Sequence, residues 1–303
     1  MPTAEFARPE PGRVTAITRD IRLILAPNAS PMTFWGTNTF LVGNGAVAVI
    51  DPGPDDTAHL RAILAALAPG EHISHILVTH AHLDHSPLAG PLARATGAQI
   101  LAFGPARAGQ SAVMADLMAR GLATGGEGVD HDFAPDRHLA DGDMVEGDGW
   151  QIQALHTPGH MANHLSFALQ DIVFTGDHVM GWASSLISPP DGDLTQFMAS
   201  CRRLGGRRDR LYLPGHGAPV TDPAGRLAWL IAHREAREAE ILAALGDGPA
   251  CNAELTASIY RDTPDPLLPM ARRNVFAHLI DLHGRRLVVA EPVLGLDARY
   301  RLR

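Results

Sequence analysis

The stretch Thr79-His80-Ala81-His82-Leu83-Asp84-His85 places three imidazoles and one carboxylate within six residues, directly behind the apolar run Ile76-Leu77-Val78. A single histidine is ordinarily a packing or surface residue. Four ligand-type side chains at the end of one strand are not explained by packing. Side chains alternate along an extended backbone, so His80 and His82 share a face, and Asp84 follows while the extension lasts. His85 reaches the same region only if the chain turns there. Neutral imidazole and carboxylate are the ligand types that suit zinc, iron or manganese.

Three later stretches repeat these residue types, each behind a short apolar run: Thr157-Pro158-Gly159-His160, Thr175-Gly176-Asp177-His178 and Pro214-Gly215-His216-Gly217. Glycine beside each ligand-type residue lets the backbone turn tightly in a crowded place. Strand ends on one rim of a sheet are where loop-borne chemistry collects. Asp51 in Asp51-Pro52-Gly53 puts one more carboxylate at a strand end.

The rest of the chain supplies a frame for those strand ends. Strands are expected over 14–18, 21–25, 39–42, 46–50, 73–78 and 99–103, and again over 151–156, 165–169, 172–174 and 211–213. Gly43-Asn44-Gly45 makes a hairpin of 39–42 and 46–50. Helices are expected after Asp55 or Asp56, over 87–96, near 112–120 and over 194–204. Residues 125–149 carry eight acids and read as a solvated loop turning at Asp141-Gly142-Asp143. Strands interleaved with helices indicate α/β layers. From about Pro219 the character changes to helices (226–245, 252–260, 267–283) followed by two strands (286–290, 298–302), a winged-helix-like arrangement. The boundary gives two domains, 1–220 and 221–303.

Composition narrows the class. The 46% hydrophobic content suits a globular chain. The start Met1-Pro2-Thr3-Ala4-Glu5 has neither a basic nor an apolar signal-like segment, and the apolar run 62–68 is too short to cross a bilayer. Cys201 and Cys251 form no metal or disulfide spacing. A cytoplasmic protein with reduced thiols is expected. Residues 1–200 hold 9 Arg against 21 acids (net −12), and residues 201–303 hold 16 Arg against 12 acids (net +4). The acidic part carries the ligand-type residues other than His216, and a basic tail faces anions if its arginines are free.

The order HAHLDH, TPGH, TGDH, PGHG resembles the metallo-β-lactamase superfamily of dinuclear hydrolases. The resemblance implies an αββα sandwich with a glyoxalase II-like core over roughly 14–220. It also implies that His80, His82 and His160 hold one metal, Asp84, His85 and His216 the second, and Asp177 bridges both. Asp51 matches an acid that supports the HxHxDH loop, and His164 and His178, flanking ligand positions, are placed to hydrogen-bond the ligands. Of the nine other histidines, His59, His72, His75, His131, His138, His233, His278 and His283 are read as surface or packing residues. Gly36-Thr37-Asn38-Thr39 and His233-Arg234-Glu235-Ala236-Arg237-Glu238 with a winged-helix-like end are similar to the lactamase-beta-like-2 group. That group includes a single-strand endoribonuclease and is similar to discrete polyketide thioesterases.

A hydroxide shared by two divalent ions, its water's pKa lowered to about 7, is then the expected nucleophile. Zinc is the expected metal, with iron or manganese as alternatives. Asp84 and Asp177 are the expected catalytic carboxylates. The substrate expected first is a small ester, thioester or lactone, with Phe34, Trp35 and Trp182 as pocket walls and a homodimer as a candidate assembly. The alternatives are cleavage of single-stranded RNA, a nucleic-acid-binding winged-helix module, and a persulfide dioxygenase. Against RNA stands the 5% aromatic content, since single-strand binders stack bases on aromatic rings.

Overall fold

A computed structural model describes residues 6–123 and 128–303. The first layer is a seven-stranded sheet: β1 (Val14–Ala16), β2 (Ile21–Leu25), β3 (Asn38–Val42), β4 (Ala46–Ile50), then helix α1 (Thr57–Ala65), β5 (His72–Leu77), helix α2 (Ala89–Thr96), β6 (Gln99–Ala102), helix α3 (Ala112–Ala119) and β7 (Arg137–His138). Its strands lie in chain order, antiparallel through β4 and parallel from β4 to β7. The second layer holds β8 (Met144–Gly147), β9 (Trp150–His156), β10 (Leu165–Leu169), β11 (Ile172–Gly176), helix α4 (Leu194–Gly205) and β12 (Leu211–Pro214), in the order β12-β11-β10-β9-β8.

Alternation decides which faces meet. Phe40, Ile50 and Leu77 from the first sheet pack against Ile152, Phe167 and Phe174 from the second. The intervening Leu41, Val49 and Ile76 face outward onto Ile63 of α1 and Leu92 of α2. The strands therefore bury both faces and read as continuous apolar runs. On the opposite outer face Val173 and Tyr212 lie under Phe197 and Leu204 of α4. The result is the αββα sandwich. Asp56 caps α1 through the amide of His59.

The C-terminal part comprises α5 (Pro223–Gly246), β13 (Ala250–Cys251), α6 (Asn252–Ile259), α7 (Leu268–Gly284), β14 (Val288–Glu291) and β15 (Arg299–Leu302), with β15 between β13 and β14. This is a winged-helix arrangement. Helix α5 belongs to two cores: Leu227 and Leu230 pack on α4, while Ile241 and Leu245 pack with Leu255, Phe276 and Tyr300. Helix α7 buries Val275 through Ile280 without interruption, so it is a core helix, as its apolar sequence demands.

The acidic region differs from the expected solvated loop. Residues 128–130 run beside the histidine loop, with the Leu83 amide donating to Gly128 O (2.7 Å) and the Asp130 amide to Ala81 O (2.9 Å). β7 and β8 follow as sheet edges. Their short, charged sequences lack an alternating pattern long enough to read, and the sheets they extend supply the missing partners. Residues 125–127 of the expected loop, and residues 1–5, lie outside the described residues. Among the described residues no helix is long and apolar enough to cross a membrane.

Candidate metal centre

The candidate ligands come from four strand ends on one rim: the turn after β5, the β9–β10 connection, the end of β11 and the end of β12. Their backbones are clamped to one another. Gly215 N donates to Gly176 O at 2.8 Å, Leu165 N to Thr79 O at 2.8 Å, and Asn38 N to Gly215 O at 2.7 Å. Asn38 Nδ2 also donates to Pro214 O and Gly217 O, each 2.9 Å away, so a buried amide from β3 fixes the PGHG turn. Nothing in the spacing of Asn38 marks that role. Gly159 at φ +146 explains the glycine before His160, because a Cβ there would lie 2.3 Å from the Phe197 Cα.

All seven ligand-type side chains converge. His80, His82 and His160 form one group, Asp84, His85 and His216 a second, and His80, His85 and Asp177 a third between them; within each group the candidate ligand atoms lie within 4.8 Å of one another. His82 Nδ1 lies 2.9 Å from His80 Nε2 and 3.1 Å from His160 Nε2. His216 Nε2 lies 3.1 Å from Asp84 Oδ2, 3.3 Å from Asp177 Oδ2 and 3.3 Å from His85 Nε2. Asp84 is the half-buried member of the set, and the other six are buried.

The outer ring nitrogens settle the tautomers. His160 Nδ1 faces Leu186 O (2.9 Å) and His216 Nδ1 faces Gly36 O (3.1 Å); carbonyls only accept, so both nitrogens carry the proton. His85 Nδ1 donates likewise to Asp51 Oδ2 at 2.9 Å. Thr79 Oγ1 donates to Asp51 Oδ2 (2.8 Å), which leaves it to accept from His80 Nδ1 (2.9 Å). Each of these four imidazoles therefore keeps its Nδ1 proton outward and turns Nε2 inward, the nitrogen left to ligate a cation. Lone pairs facing lone pairs repel unless a cation lies among them, and an oriented outer nitrogen is the usual mark of a metal-ligating histidine.

Electrostatics agree. Burial pushes the His80 and His82 imidazoles down, His82 to about 3, so both are neutral. Burial also opposes charge on His85 and His216, but the facing Asp84 and Asp177 carboxylates outweigh it, and His216 is held up at about 10. Burial would raise the two carboxylates, yet the same imidazoles hold them below the usual range. Protons on His85 and His216 here occupy a well built for positive charge. Buried Asp177 Oδ1 has no hydrogen-bond partner among the described residues, and a Cβ on Gly215 would come within 2.5 Å of it. The donor set fits metal ions, and the clusters are consistent with a dinuclear site.

The surrounding residues divide. Asp51, at φ +51, accepts from the Thr79 amide (2.7 Å) as well as from Thr79 Oγ1 and His85. His164 Nε2 accepts from the Asp177 amide (3.2 Å), and its ring stacks on His80 at 5.1 Å. His178 instead turns to Phe197 and to Cys201 Sγ, away from the ligand nitrogens. Phe34 stacks between Trp35 (5.0 Å) and Trp182 (4.8 Å), beside Gly217. The cavity these rings line, about 570 Å³, contains none of the seven ligand-type side chains on its wall. Phe34 and Trp35 come near the centre by sequence adjacency to Gly36, and Trp182 by packing against Gly217, the residue after His216.

Residues 32–216 match the model of the metallo-beta-lactamase superfamily, and residues 252–293 that of the beta-lactamase associated winged helix domain. The chain is 29% identical over 280 residues to a beta-lactamase-like protein 2 homolog of Drosophila melanogaster, covering 89% of each. It is 28% identical over 276 residues to an atrochrysone carboxyl ACP thioesterase of Aspergillus fumigatus, covering 84% of this chain and 78% of that protein. A beta-lactamase domain protein from Burkholderia ambifaria shares the fold with a TM-score of 0.79 at 24% identity, over 99% of this chain and 96% of the other.

Proposed function

The chain belongs to the metallo-beta-lactamase superfamily, and on that premise we propose that this hydrolase cleaves thioesters of carrier-bound acyl groups at a dinuclear zinc site. Residues 1–220 form the catalytic part in this reading and residues 221–303 brace it. The observation that carries it is the inward convergence of the imidazole ring nitrogens with the Asp84 and Asp177 carboxylates. His80, His82 and His160 would hold one ion, Asp84, His85 and His216 the other, with Asp177 shared. Nitrogen and oxygen ligands without cysteine suit zinc. Bound ions supply Lewis acidity and bring the pKa of water from ~15.7 to about 7, which makes a nucleophile available without Ser or Cys.

The chain's own residues do the rest. Asp51 and the carbonyls of Gly36 and Leu186 hold the ligand rings in their donor tautomers. Asp84 is the member of the set that solvent reaches, so its carboxylate takes the proton from the attacking water and returns it to the departing sulfur. Buried apolar packing behind the ligands keeps bulk water to that one side.

Similarity to an ACP thioesterase over most of both chains supports a thioester over a lactone or simple ester. Charge pairing weighs against RNA. Several arginines of the basic tail are paired with carboxylates: Arg237 with Glu240, Arg285 with Glu238 and Asp281, Arg299 with Glu254, and Arg301 with Glu291. A groove that tracks phosphates needs them free. The test is thiol release from acyl-carrier and acyl-CoA thioesters by zinc-loaded protein. Turnover lost on chelation, restored by zinc and missing in His80→Ala is expected; turnover no greater than that of His80→Ala overturns the reading.

A further inference from the structure

Arg234, on α5, is buried (3% exposed), and no carboxylate among the described residues pairs with it. Its Nη2 donates to Ser185 O and its Nη1 to Asn274 Oδ1 (3.0 Å), while the guanidinium lies over the Phe197 ring at 5.4 Å. Nε has no partner among the described residues. Burial lowers the guanidinium only to about 10, so the charge persists at neutral pH. A buried cation resting on neutral oxygens costs stability, and an apolar side chain of the same volume would serve packing as well or better. Its position suggests what it does instead.

Segment 185–193 runs from the TGDH loop past His160 to the cap of α4. The Ser185 hydroxyl lies 2.5 Å from Asp177 O and 2.9 Å from His178 O. Leu186 O accepts the His160 Nδ1 proton. Ile187 N donates to the Asn274 Oδ1 that Arg234 also holds. Phe197, under the guanidinium, is the residue that Gly159 packs against. One side chain from the C-terminal helices thus contacts Ser185, Asn274 and Phe197, each of which bonds or packs against a segment carrying Asp177 or His160.

We infer that Arg234 is a positioning residue: by gripping Ser185 O and Asn274 it locks segment 185–193, so that the geometry of the metal centre depends on the docked C-terminal helices. The inference rests on the dinuclear-site reading, and the two fail separately. Parent protein that binds no zinc ends the site reading. Parent that binds two zinc ions beside variants that bind equally well ends only this one.

The test is a competition titration of full-length protein with zinc and a chromogenic chelator, alongside circular dichroism and kinetics. Arg234→Met keeps volume and removes both grips, Arg234→Lys restores charge with a single contact point, and Ser185→Ala cuts the same chain at its other end. Arg202→Gln, at an exposed pair with Glu235, is the control. Folded Arg234→Met should bind zinc ~10–100-fold more weakly, the range for residues that orient ligands, with kcat falling and KM held. Arg234→Lys should recover part of the affinity. If Arg234→Met does not fold, Ser185→Ala and Asn274→Ala carry the test with the same expectation. Zinc affinity within twofold of parent in the folded variants, whatever their Tm, overturns the inference.

Discussion

Asp51→Asn tests the tautomer argument at its most constrained point. Asp51 Oδ1 accepts from the Thr79 amide, and Oδ2 accepts from Thr79 Oγ1 and His85 Nδ1. In the variant one of these oxygens becomes an NH₂ group. If the NH₂ takes the Oδ1 position it meets the Thr79 backbone N–H at 2.7 Å, a donor that cannot turn away. The amide is therefore held with NH₂ facing Thr79 Oγ1 and His85 Nδ1. The hydroxyl rotates and accepts. His85 relieves its own clash, ~1–3 kcal/mol for a buried donor left unmet, by moving the proton to Nε2. That proton then occupies the inward lone pair.

The consequence is a folded protein with a weakened site, losing tenfold to a hundredfold in zinc affinity, or about 1.4–2.7 kcal/mol. Asp51→Ala should show the opposite balance. It strands the buried Thr79 amide and costs more stability, but leaves His85 free to keep its Nδ1 proton toward water. Zinc titration, thermal unfolding and nitrogen-15 spectra of the histidine rings measure the three quantities. Parent-like binding of two zinc ions by Asp51→Asn, or a His85 Nδ1 proton retained in it, would refute the reasoning.

Further expectations follow from single contacts. Gly159→Ala, whose Cβ would meet the Phe197 backbone, should lower stability by ~2 kcal/mol or more and loosen zinc binding through His160, read by denaturant midpoint and chelator competition. Buried His59, bonded to Thr39 Oγ1, has a pKa pushed down to about 4 by burial. Above pH 6.5 both folded and unfolded states hold it neutral. As pH falls from 6.5 toward 4 the unfolded state alone takes the proton, so about 3 kcal/mol of stability should be lost in that window. Urea unfolding of parent against His59→Gln at pH 7 and 4.5 isolates the term, and equal slopes in the two proteins would contradict it. Phe34→Ala should cost up to about 1.5 kcal/mol of ring stacking while zinc content and KM stay within twofold, because the cavity beside it meets none of the ligands.

The sequence by itself determined the strand ends. Apolar runs ending in HAHLDH, TPGH, TGDH and PGHG are local statements, since strand periodicity and a turn residue need only near neighbours to be read. The α/β layering and the three C-terminal helices are visible for the same reason. What the sequence does not encode locally is which carbonyl meets which ring nitrogen. Gly36 O on His216, Leu186 O on His160 and Asn38 across the PGHG turn join residues 26 to 180 positions apart, and those bonds decide the tautomers and hence the site. Tertiary structure also turns His178 toward Phe197 and Cys201 and stacks Phe34 between Trp35 and Trp182, contacts that no local pattern announces. Arg234 is the sharpest case: a charged residue on an amphipathic helix reads as solvated until the fold buries it against Ser185.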